Sequence, residues 1–178
     1  MFAILLINKI FIMKNLKKVS MFLIVVFLTL GLATSCSNDD DDSSGSNSSG
    51  EFVSVKIDGS AWSSSSSYDL VSASKGGGSL SVQGSDATGN AVRFTITSYS
   101  GTGTYTAGDL VTNTNSLSYI TISPIATWTS SMDIGSGTME ITSDSNGIVE
   151  GTFSFEGYNA DDQTTKSFTV GKFRANVD

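Results

Sequence analysis

The chain has 178 residues, 39% of them hydrophobic, with ten Lys and Arg against seventeen Asp and Glu and no histidine. Four of the bases, Lys9, Lys14, Lys17 and Lys18, precede Cys36, so from Cys36 onward six bases face seventeen acids, a balance of −11. That charge argues against nucleic acid and against adsorption to anionic lipid, which both want a basic face; the lack of histidine removes Ser-His and Cys-His catalysis and the usual zinc sites.

Residues 1–12, "MFAILLINKIFI", are apolar and precede a second methionine that already begins a complete signal. "MKNLKK" (Met13 to Lys18) is basic and "MFLIVVFLTLGLA" (Met21 to Ala33) is apolar and uncharged. A basic start, a short apolar run and small residues at the exit are the parts of a secretory signal peptide, and the run is too short for a transmembrane helix of about 20 residues. Residues 1–35 are read as that signal, with 1–12 as an upstream extension. Leu32-Ala33-Thr34-Ser35-Cys36 resembles the lipobox of bacterial lipoproteins, with its bulky residue four rather than three places before the cysteine. The resemblance implies that Cys36 carries a diacylglyceryl group and becomes the new N-terminus, making the membrane a partner through acyl chains worth about 0.8 kcal/mol per buried CH₂. Without lipidation, Cys36 is an odd thiol, free or paired between molecules.

Residues 36–50 form an acidic Ser/Gly tether. Asp39, Asp40, Asp41 and Asp42 follow the cysteine closely, and no apolar residue lies between Ser37 and Gly50, so the segment cannot repay the entropy of ordering. Taken alone, the run is a solvated charge block. Acids just after a lipidated cysteine resemble the lipoprotein export signal of Bacteroidetes, which implies an outer-membrane protein facing the cell exterior.

Residues 51–178 are one domain's worth of sequence and alternate with period two, the mark of half-buried antiparallel strands. "FVSVKID" sets Val53, Val55 and Ile57 on one face, "SLSVQ" Leu80 and Val82, and "AVRFTIT" Val92, Phe94 and Ile96. Further along, "YITIS" aligns Ile120 with Ile122, "TMEIT" Met139 with Ile141, and "IVEGTFSFE" Val149 with Phe153 and Phe155. Asn146-Gly147 is a type I′ hairpin signal. In the last strand Phe168 and Val170 keep one face with Phe173, Ala175 and Val177 only if one residue is added, which places a bulge near Gly171-Lys172. "KGGG", "SDATGN", "SGTG" and "DSNG" supply turns, and no window has helical spacing. The expected fold is all-β, an antiparallel sandwich or flattened barrel.

"FVSVKIDGSAW", "GTYT", "GTMEITS", "GIVEGTFSF" and "FTVGKFRANV" come in the order seen in an uncharacterised Bacteroidetes lipoprotein family, which this stretch resembles over essentially residues 51–178. That family is a domain of unknown function, so the resemblance implies fold and location and assigns no activity, cofactor or site.

Each candidate chemistry stands beside a plainer reading. Glu140, Glu150 and Glu156 on paired strands offer carboxylates for a hydrolase, or only keep an outer face soluble. Asp144-x-Asn146-Gly147 and Asn159 to Gln163 offer oxygens to calcium but match no complete loop and read as turns. The Gly-rich runs precede no helix that could receive a phosphate. Trp62 and Trp128, with Tyr68, Tyr99, Tyr105, Tyr119 and Tyr158, are candidate stacking platforms for a glycan or core partners; Trp128, in the loop-like "ATWTSSMDIGSG", is the foremost. The sequence therefore points to a non-enzymatic, lipid-anchored surface domain without cofactor or metal. One reading is a ligand- or glycan-binding accessory with an exposed aromatic patch. The other is a structural or protein-interaction module of the envelope, with both tryptophans buried and an apolar patch or edge strand exposed.

Overall fold

Alternating short stretches of β-branched and aromatic residues, cut by Gly, Asn and Asp turns, favour short strands joined by tight turns. The computed structural model describes residues 50–177; the expected signal peptide, Cys36 and Asp39 to Asp42 lie outside them. The strands are β1 (Phe52–Ile57), β2 (Ser60–Ser63), β3 (Val71–Gly76), β4 (Ser79–Ser85), β5 (Ala91–Ile96), β6 (Gly103–Ala107), β7 (Ser116–Ile122), β8 (Ile125–Ser131), β9 (Ser136–Ser145), β10 (Ile148–Asn159) and β11 (Thr164–Asn176). All pairings are antiparallel, in the order β2-β1-β11-β10-β8-β7-β5-β4-β3, with β9 on β10 and β6 on β9. The fold is all-β, and the choice between sandwich and barrel resolves as one sheet curled into a half-barrel.

The sheet forks at β10. Its residues Ile148 to Glu156 pair with β9, whereas Tyr158 pairs with Thr129 of β8. The two branches curl toward each other and close on a shared core. Val53 of β1, Met139 and Ile141 of β9, Val149, Phe153 and Phe155 of β10 and Phe168 and Phe173 of β11 meet Leu80, Val82, Phe94, Ile96 and Leu117 of the other branch. Phe94 lies edge-on to Phe173 at 4.8 Å between centroids, and Phe155 stacks on Phe168 at 3.9 Å.

At the rim the curl is pinned by Asp144 of β9. Its carboxylate accepts from Lys75 Nζ of β3 at 2.7 Å and from Tyr99 Oη at 2.8 Å, which hold its pKa below the usual range. Burial, and then the Asp144 carboxylate, push the Tyr99 phenol well up.

The expected faces of β1, β4, β5, β9 and β10 are the buried ones. Asn146 and Gly147 both have positive φ, 53° and 74°, as the type I′ turn requires. Three expectations are corrected. In β7 the core face is Leu117 and Tyr119, not Ile120 and Ile122, and Ile122 is exposed. In β11 the register slips between Phe168 and Gly171, so the bulge lies beside Gly171-Lys172 as expected, but Val170, with φ 54° and 63% exposure, is the residue pushed out rather than a neighbour of Phe168 on the core face. Third, "ATWTSSMDIGSG" is not a loop at Trp128, which sits mid-strand in β8. Its inward neighbours Ala126 and Ser130 are too small or polar to signal a buried face.

Candidate functional site

Trp128 is 8% exposed. Its indole N–H donates to Thr164 Oγ1 at 2.9 Å, Tyr119 stacks on it at 5.9 Å and Lys166 Nζ lies 4.9 Å from its ring centre, a cation–π arrangement. Trp62, half-buried in β2, meets Tyr119 edge-on and donates to Asp86 Oδ2 at 2.9 Å. Both indoles are thus engaged inside the molecule, one as core and one at its margin. Among the tyrosines, Tyr68 is the one that stands in solvent.

Asp86 shows how fully the β4–β5 loop satisfies itself. Its carboxylate accepts from the Trp62 indole, from the Thr88 amide and hydroxyl, and from the Asn90 amide and side chain. Burial acts to raise its pKa, but the Thr88 hydroxyl, the Trp62 indole and the amides of Thr88 and Asn90 outweigh it and bring the value down to about 2.

The calcium candidates are spoken for in the same way. Asp144 belongs to Lys75 and Tyr99, the buried Asn159 accepts the Asp161 amide, and Asp162 accepts the amide and hydroxyl of Thr164. Among the described residues no three His, Cys, Asp or Glu are gathered as a metal site, and no helix is long and apolar enough to cross a membrane.

Of the three glutamates, Glu150 is ion-paired with Arg174 and Glu140 stands opposite Thr152 on open sheet. Glu156 lines a depression. This open groove of about 390 Å³ crosses β6, β9, β10 and β11, lined by Thr106, Asp109, Ser136, Thr138, Ser154, Glu156, Ser167 and Thr169 over Ala107, Gly137, Phe155 and Phe168. Register explains the lining: Ser136, Glu156 and Ser167 fall in one row across three strands, and Thr106, Thr138 and Ser154 in the next.

Asp109, the second carboxylate of the groove, was not among the sequence candidates. It follows the strand "GTYTA" through Gly108, a turn signal that marks a loop but not what the loop faces. Its oxygens accept from Thr106 Oγ1 at 2.7 Å and Asn113 Nδ2 at 2.6 Å, which lower its pKa. An acid so held stays ionised near neutrality, so Asp109 offers negative charge and hydrogen-bond acceptors to the groove.

Two loops meet at the head of this groove. Gly135, in the β8–β9 loop, sits in the fork of the sheet, where an added Cβ would lie 2.3 Å from Glu156 O. Gly108, in the β6–β7 loop, is packed against the carbonyls of Ile134 and Gly135, and Ser130 Oγ donates to Ala107 O. The side chains these loops turn outward are Leu110, Val111, Met132 and Ile134, each between 45% and 68% exposed.

Neither a curated protein nor a solved structure matches the chain. Residues 50–175 match the family described as "Domain of unknown function (DUF6252)", and the chain belongs to that family.

Proposed function

We propose that the chain is a lipid-anchored lipoprotein of the Bacteroidetes type, held in the outer membrane through Cys36, facing the cell exterior, and that its β domain is a protein-interaction module. The anchoring half of the reading is supported by the basic-apolar-small order of residues 13–36 and the lipobox-like Leu32 to Cys36. Asp39 to Asp42 support the exterior location.

The interaction half rests on one observation. Eight large apolar side chains are exposed on the described residues, and four of them gather on the two touching loops at 108–111 and 132–135. A soluble protein scatters such residues singly, and their gathering marks a contact surface. A glycan-binding accessory would instead display several aromatic platforms, whereas Trp62 and Trp128 are both engaged inside the molecule and Tyr68 is the one candidate ring that stands in solvent.

Photo-cross-linking in the native cell tests the reading. A cross-linker at Val111 is expected to capture a discrete protein neighbour, and one at Asp69, exposed elsewhere, is not. Failure of Val111 to cross-link to protein, with the domain surface-accessible, would sink it. For the anchor, the mass of the processed chain should carry diacylglyceryl on Cys36, and Cys36→Ser should release the protein from the membrane. For the location, Asp39 to Asp42 replaced by Ala should protect it from protease added to whole cells; unchanged cleavage would refute the export role.

A further inference from the structure

The groove and the apolar loops are one continuous surface. Gly135 joins them, since it is wedged on the carbonyl of Glu156, the residue whose side chain lines the groove. Asp109 joins them from the other side, directly preceding Leu110 and Val111. The surface thus has a hydroxyl-lined floor with two carboxylates and no lysine or arginine among its lining residues. Its head carries four apolar side chains.

A ligand that fits must be cationic on one side and apolar on the other. We infer that this surface receives an extended, basic segment of a partner polypeptide, with cationic side chains toward Glu156 and Asp109 and apolar ones against Leu110, Val111, Met132 and Ile134. The inference rests on the protein-interaction reading and names the site and partner chemistry within it. An extended chain suits the geometry because the groove runs across four strands and is open along its length, and because successive side chains of a strand point to opposite sides. Opposite charges steer such a segment in and fix its register. A sugar fits less well: the two aromatic residues in the lining, Phe155 and Phe168, are stacked on each other in the core at 4% and 0% exposure and offer no free face.

The test uses the full chain in detergent and a fluorescent decamer of alternating Lys and Leu, read by anisotropy. Binding is expected, weakening with salt, and absent for the alternating Glu-Leu decamer. Glu156→Lys should weaken it by about tenfold or more, while Asp161→Lys, the same charge change in the β10–β11 turn, should stay within about twofold. Val111→Ser with Met132→Ser, which leaves every carboxylate in place, should also weaken it by about tenfold. Equal losses for Glu156→Lys and Asp161→Lys would mean diffuse charge attraction and overturn the site. Binding of maltohexaose that Glu156→Lys abolishes, with no peptide binding, would overturn it in favour of a sugar. A Val111 cross-link to protein in cells without Glu156-dependent peptide binding would overturn the groove alone and leave the interaction reading standing; loss of that cross-link would overturn the broader reading.

Discussion

Two loop regions of this half-barrel treat water in opposite ways. In the β4–β5 loop one carboxylate, Asp86, accepts five hydrogen bonds from three residues, and the loop's polar groups are spent on one another. The paired loops at 108–111 and 132–135 pack closely at Gly108 and Gly135, where an added Cβ would clash with backbone carbonyls, yet they direct four apolar side chains into solvent. The first is built for its own stability. The second holds an apolar surface that the described residues leave exposed, the kind of patch the proposed interaction would use.

The largest effect should come from loosening the second region. Gly135→Val puts a branched side chain at φ 68° against the Glu156 carbonyl and should cost about 3 kcal/mol. In thermal unfolding that is a Tm about 10 °C lower; an unchanged Tm would mean the loop is not pinned and the comparison fails. Gly89→Ala, the parallel change in the first region, also sits at positive φ, 87°, but meets only the flexible end of Ile122, and about 1 kcal/mol should suffice.

Between these falls Asp86→Ala, which strips the acceptor from five donors and should cost about 2 kcal/mol in denaturant unfolding. Its pH dependence has a definite sign. The folded pKa, about 2, lies below the model-compound value of 3.8, so the contribution is complete above about pH 4 and is lost as pH falls toward 2. Melting curves between pH 4 and pH 2 should therefore drop more steeply for the wild type than for Asp86→Ala; parallel curves would show that Asp86 contributes nothing to acid lability.

The smallest effect on stability belongs to the surface itself. Val111→Ser with Met132→Ser should change unfolding free energy by no more than about 0.5 kcal/mol, while weakening binding of the Lys-Leu decamer by about tenfold. A large destabilisation would identify those side chains as part of the core and erase the distinction between the two loops.

Much of the fold was legible in the residues. Val53 and Val55, Leu80 and Val82, Phe94 and Ile96, and Met139 and Ile141 announce their buried faces because large apolar residues alternate with polar ones. The Asn146-Gly147 turn is readable because few residue pairs accept two positive φ values. Legibility failed where alternation carried no contrast. In β8 the inward residues are Ala126, Trp128 and Ser130, and a buried serine gives no apolar signal. In β7 the run "LSYITI" has apolar residues on both faces, and only packing against β5 and β8 selects Leu117 and Tyr119. Of the candidate groove, Glu156 was visible as an outward carboxylate and Asp109 was not, since nothing local says which loop folds over which strand.

What the sequence by itself determined is what depends on neighbours a few residues apart: strand periodicity, hairpin turns, and the need for a bulge in β11. Tertiary structure alone decided that the sheet forks at β10, that the curl closes through Lys75, Asp144 and Tyr99, and that Asp109 and Glu156 share a groove beneath four exposed apolar side chains. The reason is range. Alternation and φ preference act within a strand or turn, whereas register and curl couple residues tens of positions apart through packing that no single segment encodes.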